Sequence, residues 1–185
     1  MNVKLLLGLI FLVSVTTFAQ EKKWSVEANY PISIGGDLGN DAPGIIDLGI
    51  KYRFVNLSFA TIGFGVNSAV FAKNANVTET SEINETHWLV QPKLFSEFKL
   101  PGLSKLRPSL GVGVTFINSS FDGNLNGVVF DNSGNDTAFN VNVGLSYDIT
   151  KTLFVQGQYD FIDYEATINQ NDYLGLLKFG LGFRF

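Results

Sequence analysis

From Trp24 to Phe185 the chain alternates apolar and polar residues in eight successive runs, and this period of two limits its fold more than any other feature. Side chains of a strand point in turn to opposite faces, so each run divides two environments. In the first run Trp24, Val26, Ala28, Tyr30, Ile32 and Ile34 alternate with Ser25, Glu27, Asn29, Pro31 and Ser33. The sixth sets Phe139, Val141, Val143, Leu145, Tyr147 and Ile149 against Asn140, Asn142, Gly144, Ser146 and Asp148. The other runs cover Ile46 to Phe54, Ser58 to Ala72, Trp88 to Leu100, Leu110 to Phe116, Leu153 to Phe161 and Leu177 to Phe185. The apolar face carries no charge. The opposite face carries Glu27, Asp47, Lys51, Arg53, Lys93, Glu97, Lys99, Asp148, Asp160, Lys178 and Arg184.

Such segregation is what a lipid-facing surface demands, because a charge at the bilayer midplane of a barrel costs about 2 to 4 kcal/mol. A soluble lipocalin-like barrel would invert it, apolar within and polar without. Three features favour lipid outside. Aromatic residues gather near strand ends: Trp24, Tyr52, Phe54, Phe98, Tyr147 and Phe183 toward one rim, and Trp88, Phe116, Phe139, Tyr159 and Phe161 toward the other, as in the girdles at membrane interfaces. Connections alternate in length. Gly35 to Gly44, Lys73 to Glu85, Asn118 to Asp136 and Asp163 to Tyr173 are long, whereas Val55 to Leu57, Pro101 to Leu106 and Thr150 to Thr152 are short. Finally, the last run stops on Phe185, where a lipocalin would continue into a helix.

Composition agrees. With 19 Gly and 17 Phe beside one Met, the 185 residues suit extended strands in a single all-β domain. The absence of Cys excludes a disulfide scaffold, a thiolate metal site and a lipid-modified cysteine anchor. Residues 1–19 read as a cleaved signal peptide: Lys4 precedes the apolar run Leu5 to Val15, and Thr17 and Ala19 are the small residues before a cut. The mature domain is then 20–185. A transmembrane helix would need about 20 apolar residues, and Gln20, Glu21, Lys22 and Lys23 interrupt too early.

Over this mature region the chain resembles the small outer-membrane barrels of the OmpA/OmpX type and the porin-family β-barrel domains. The resemblance implies a closed antiparallel up-and-down barrel of about eight strands in the outer membrane of a Gram-negative cell. It also implies that the terminal strand, ending on Phe185, is read by the barrel-assembly machinery. Pro31 and Pro92 depart from the pattern, since a proline inside a strand removes a ladder donor and invites a bulge.

About eight strands leave an interior just wide enough for side chains. The six basic and five acidic inward residues are therefore expected to pair, with Asp160 and Lys178 on adjacent strands as a candidate pair. A salt-bridged core that fixes register is favoured over an ion gate, and a narrow solute channel is the alternative function. No catalytic set emerges. His87 is the single histidine and sits at a loop boundary, its neighbours Thr86, Trp88 and Leu89 lacking the His and Ser spacing of a lipid A deacylase. A non-enzymatic protein without cofactor is expected. Asp122, Asn124 and Asn126 match the first half of a calcium loop, but position twelve is Ser133, so a Gly- and Asn-rich turn is expected in place of a metal site. The long connections hold Asp37, Asp41, Glu79, Glu82, Glu85, Asp122, Asp131, Asp136, Asp163, Glu165 and Asp172 against Lys73 alone. With a net charge of −4, a nucleic-acid partner is not expected, and the acidic loops would meet a cation or a basic partner.

Overall fold

The computed structural model describes residues 22–34, 43–78, 81–125, 128–167 and 170–185. Segment 1–19 and residues Asp37, Asp41, Glu79 and Asn126, on which sequence readings fall, lie outside them. The described residues form eight strands: β1 (Trp24–Ile34), β2 (Gly44–Asn56), β3 (Ala60–Thr78), β4 (Ser81–Phe98), β5 (Leu106–Leu125), β6 (Val128–Asp148), β7 (Leu153–Thr167) and β8 (Gln170–Arg184). Each pairs antiparallel with its neighbours, and β8 returns to β1, closing an up-and-down barrel with no free edge.

Faces follow the alternation. Along β1 every odd position from Ser25 to Pro31 is buried and every even one exposed. Exposed Trp24, Ile50, Phe64, Leu94, Val112, Val143 and Leu181 belong to an apolar belt around the wall. Along β4 this belt runs from Phe98 to Trp88, ten residue steps of about 3.3 Å. With strands tilted by about 40° that is about 25 Å of height, matching the lipid-facing band of outer-membrane barrels.

Rows of inward glycine make room for long inward side chains. A Cβ on Gly49 would lie 2.6 Å from Glu27 Oε1 and Asn67 Nδ2, and one on Gly182 would lie 2.0 Å from the Phe154 ring. These glycines face those residues directly across the ladder, so small and large side chains interlock around the wall. One glycine serves a turn. Gly102, at φ 80, follows Pro101 in the β4–β5 connection, where Leu103 N–H donates to the Leu100 carbonyl at 3.1 Å.

The two prolines produce no bulge. Pro31 pairs with Lys178 on the β8 side and lies past the last β1–β2 pair, Asn29 with Asp47. Pro92 pairs with Val66 on one side and falls in a short gap of the β4–β5 ladder, whose register is the same before and after it. Each proline thus interrupts one edge and leaves register intact. Bulges occur instead between Gly44 and Ile46, Arg53 and Val55, Asn76 and Thr78, and Tyr164 and Thr167.

Three long connections contract because the strands outrun the belt. β3 and β4 continue to Thr78 and from Ser81, β5 and β6 to Leu125 and from Val128, and β7 and β8 to Thr167 and from Gln170. The stretch expected as a loop from Asn118 to Asp136 is a ladder of the β5–β6 hairpin. Asp131 through Thr137 are exposed on both faces, so this ladder stands clear of the belt.

Candidate functional site

Among the described residues the interior concentrates paired polar chemistry, and it is built in tiers. At the end holding both Trp24 and Phe185, Asp148 accepts from Arg107 Nε at 2.8 Å and from Arg184 Nη1. Arg53 next grips Glu97 with two parallel hydrogen bonds, Nε to Oε2 at 2.8 Å and Nη2 to Oε1 at 2.7 Å, the strong geometry for this pair. Above them Lys51 Nζ meets Glu27 Oε2 at 2.9 Å, and Gln156 Nε2 donates to the same oxygen at 2.8 Å. Asn29 and Asn67 each donate to Asp47 Oδ1 at 2.7 Å.

Lys178 completes the column. Its Nζ donates to Asp47 Oδ2 at 2.8 Å and to Gln91 Oε1 at 2.5 Å. It also lies 2.8 Å from Asp160 Oδ2, an ion contact by distance rather than by hydrogen-bond angle. The Asp160 and Lys178 pair read from sequence is therefore formed, with Asp47 as an additional anion. Because β8 and β4 lie on opposite walls of an eight-strand barrel, the Lys178 to Gln91 bond crosses the lumen. Lys178 and Asp47 have no exposed side-chain surface. Buried ions are tolerable only when so partnered, since desolvation costs several kcal/mol per charge.

Outward of Lys178 the interior turns apolar. Ala69, Phe71, Leu89, Ile117, Ala138, Ile162, Leu174 and Leu176 form one buried cluster drawn from β3 to β8. Sequence reading assigned the inward face to polar residues and missed this layer. Its signal was the loss of alternation at doublets such as Val70-Phe71, Trp88-Leu89, Phe116-Ile117 and Phe161-Ile162, where both faces are apolar.

Above the apolar layer lies His87. It is buried, 2% exposed, and points inward from within β4, a hydrogen-bonding residue of the strand rather than of the loop boundary expected from sequence. The cause is parity: His87 shares the inward side of β4 with Leu89 and Gln91. Its Nε2 lies 2.5 Å from Glu85 Oε1 and its Nδ1 2.8 Å from Ser119 Oγ, with the Phe121 ring edge-on at 5.6 Å. A neutral imidazole satisfies both contacts in one way, with Nε2–H donating to the carboxylate and Nδ1 accepting from the hydroxyl. Sequence spacing could not reveal this chain of groups, since Ser119 is the partner of His87 across the β4–β5 ladder, 32 residues away.

The turn expected at the calcium-like stretch is strand as far as it is described: Asp122 and Asn124 lie on β5, with Asp122 opposite Asp131 and accepting from Asn84 Nδ2 at 3.2 Å. Among the described residues no group of three acidic or His side chains is placed to hold a metal. Of the acidic residues read on the long connections, Glu85, Asp122, Asp131, Asp136 and Asp163 stand on the outward strand extensions.

Comparison with known proteins places this architecture. Similar solved structures include Ail, the attachment invasion locus protein of Yersinia pestis, crystallised with the heparin analogue sucrose octasulfate (TM-score 0.60, 13% identity, 88% of this chain and 97% of that one). Neisserial surface protein A is also similar (TM-score 0.59, 19% identity, 88% and 96%), as is the N-terminal barrel domain of Pseudomonas aeruginosa OprF (TM-score 0.55, 18% identity, 89% and 98%). At these identities the likeness is one of fold. No protein of curated function matches the sequence. The model of the outer membrane protein beta-barrel domain matches residues 5–185, and the chain belongs to that family of bacterial outer-membrane proteins.

Proposed function

We propose that this protein is a non-enzymatic outer-membrane scaffold whose lumen is closed and whose acidic outer extensions engage a basic partner. The observation that carries the closure is the Lys178 ammonium, which joins side chains of β2, β4 and β7 from β8 and so bridges opposite walls. The apolar layer above it adds a second barrier, because a dry constriction resists ion entry. Single-channel recording in a planar bilayer tests this. The refolded protein should show no steady openings, and a steady unitary conductance would replace this reading with that of a narrow channel.

Recognition is read from charge. The long connections read from sequence carry eleven acidic residues, from Asp37 to Asp172, against Lys73, and of these Glu85, Asp122, Asp131, Asp136 and Asp163 stand on the outward strand extensions. Ail was crystallised with a sulfated, polyanionic ligand. An acidic outer face repels that chemistry and draws cations, with an attraction that falls as the Debye length shrinks from about 10 Å at 0.1 M salt to about 3 Å at 1 M. Polylysine should bind in a salt-sensitive way and heparin should not. The reverse order would end this reading. Assembly through the terminal strand belongs to the same proposal, and deleting Phe185 should reduce the yield of folded protein in the outer membrane.

Glu85, His87 and Ser119 favour a second reading, ester hydrolysis at the outer mouth, since an acid, a base and a hydroxyl in series can activate a nucleophile. Direct cross-strand pairing explains the Ser119 contact without catalysis, as residues facing each other on a ladder touch by construction. Assay of the wild type and Ser119→Ala on a chromogenic ester and on lipid separates the readings. No turnover above buffer is expected, and turnover abolished by Ser119→Ala would establish an enzyme.

A further inference from the structure

The end of the barrel opposite the acidic extensions has an inverse charge that the scaffold reading does not use. A cavity of about 340 Å³ opens there, lined by Lys22, Lys23, Lys99 and Lys151 with Arg53, Arg107 and Arg184 among its other residues, and no carboxylate contributes to its lining. Both Trp24 and Phe185 lie at this end, joined by two backbone hydrogen bonds, and so do the three short connections, which identifies it as the periplasmic side.

Its cations are of two kinds. The arginines are bound to acids in the column: Arg53 to Glu97, and Arg107 and Arg184 to Asp148. Among the described residues none of the four lysines makes an ion pair. Lys22 Nζ instead donates to the Lys151 carbonyl at 2.5 Å, and Lys99 Nζ to the Leu57 carbonyl at 2.8 Å and to Asn56 Oδ1. Carbonyl tethers orient these ammonium groups without neutralising them. Arg184 Nε is buried and has no hydrogen-bond partner, leaving one donor unused.

The crowding is also felt at Lys22, outside the strands. Burial first, then the charges of Arg184 and Lys151, lower its affinity for a proton, with Asp148 opposing them. A chain of net charge −4 thus gathers unneutralised cations around one recess. Mutual repulsion of this sort is relieved by a multivalent anion.

We propose that this periplasmic recess binds a phosphate group. Its volume lies at the lower end of small-ligand sites, which suits a single headgroup-sized anion rather than a chain. A phosphate offers several acceptors to ammonium donors, and such charge-assisted bonds are roughly twice as strong as neutral ones. The rim supplies a further clue to position: Phe54, half exposed at 50%, and Val55 border the same recess and belong to the foot of the lipid-facing wall. The recess therefore lies at the level of the inner-leaflet headgroups, so its phosphate can come from a phospholipid or from free phosphate.

The test uses the full refolded chain and a Lys22→Gln/Lys151→Gln double variant, whose changes lie outside every strand and every ion pair of the column. Calorimetric titration with inorganic phosphate, in zwitterionic micelles at fixed ionic strength, is compared with binding to phosphatidylcholine vesicles with and without phosphatidylglycerol. Phosphate binding that weakens about tenfold in the double variant, about 1.4 kcal/mol, supports a site for the free anion. Binding seen only with phosphatidylglycerol, and weakened likewise, supports a headgroup site. If neither probe binds the wild type, or the double variant binds as well, the proposal is overturned.

Discussion

Lys178 and Leu176 leave β8 two residues apart on the same inward side, yet they enter opposite environments. Lys178 reaches Asp47, Asp160 and Gln91, while Leu176 joins Phe71, Leu89, Ile117 and Ile162. On the periplasmic side of this boundary the lumen is filled mainly by ions, most of them partnered, and on the outer side by a layer of hydrocarbon beneath His87. The two fillings differ in what they specify. An ion pair or a bidentate Arg53–Glu97 grip is directional and fixes which residue faces which, whereas an apolar layer rewards volume and tolerates exchange. Register, which moves every side chain to the other face when it slips by one, is thus held most tightly in the ionic half.

The comparison breaks most readily at Lys178. Replacing it by Met removes the cation and leaves Asp47 and Asp160 buried together, a loss expected to cost about 3 to 5 kcal/mol. Urea titration of the refolded protein in micelles, followed by tryptophan emission, measures it. The triple change Lys178→Met/Asp47→Asn/Asp160→Asn should recover most of the loss, because the penalty comes from orphaned charge. If Lys178→Met alone were neutral, the ionic half would hold no more register than the apolar one.

Leu89→Ala probes the other half. Leu89 has no exposed surface, and its truncation should cost about 3 kcal/mol through lost burial and the cavity left behind. Its second readout differs from that of Lys178. The Lys178 bridge below remains whole, so the variant should stay silent in single-channel recording, and steady openings in Leu89→Ala would show that the apolar layer alone closes the lumen.

Most of the barrel was legible because lipid outside and charge inside leave period two in the chain. The polar residues read as inward, from Glu27 to Arg184, do face the lumen except Lys99, which lies past the end of β4 at the periplasmic rim, and the Asp160 and Lys178 contact follows from two inward charges on adjacent strands. Alternation fails as a guide where both faces are apolar. Leu89 and Ile117 look like interruptions of the pattern, although they are the inward filling of the outer half. Strand ends were illegible for a related reason: beyond the belt neither face meets lipid, so Asn118 to Asp136 shows polar residues on both sides while pairing as a continuous ladder. The contacts of His87 with Glu85 and Ser119 required register, which no single run contains.

The finest distinction lies inside the ionic half, between Lys178 and Lys93. Both are buried, 0% and 2% exposed, and both were read from sequence as inward charges awaiting partners. Lys178 touches two carboxylates, whereas Lys93 Nζ has no hydrogen-bond partner. Lys93 lies among charges of both signs, the carboxylates of Asp160 and Glu27 and the ammonium groups of Lys51 and Lys178. Exchanging an unpartnered buried ammonium for an apolar side chain of similar length removes a desolvation penalty and orphans no carboxylate, since Glu27 keeps Lys51 and Asp160 keeps Lys178. Lys93→Met should therefore leave the urea midpoint unchanged or raise it, with a stability change within about 1 kcal/mol where Lys178→Met loses several. A loss above about 2 kcal/mol for Lys93→Met would mean that charge in this lumen acts as one shared network rather than through named contacts, and the contrast between the two lysines would fall.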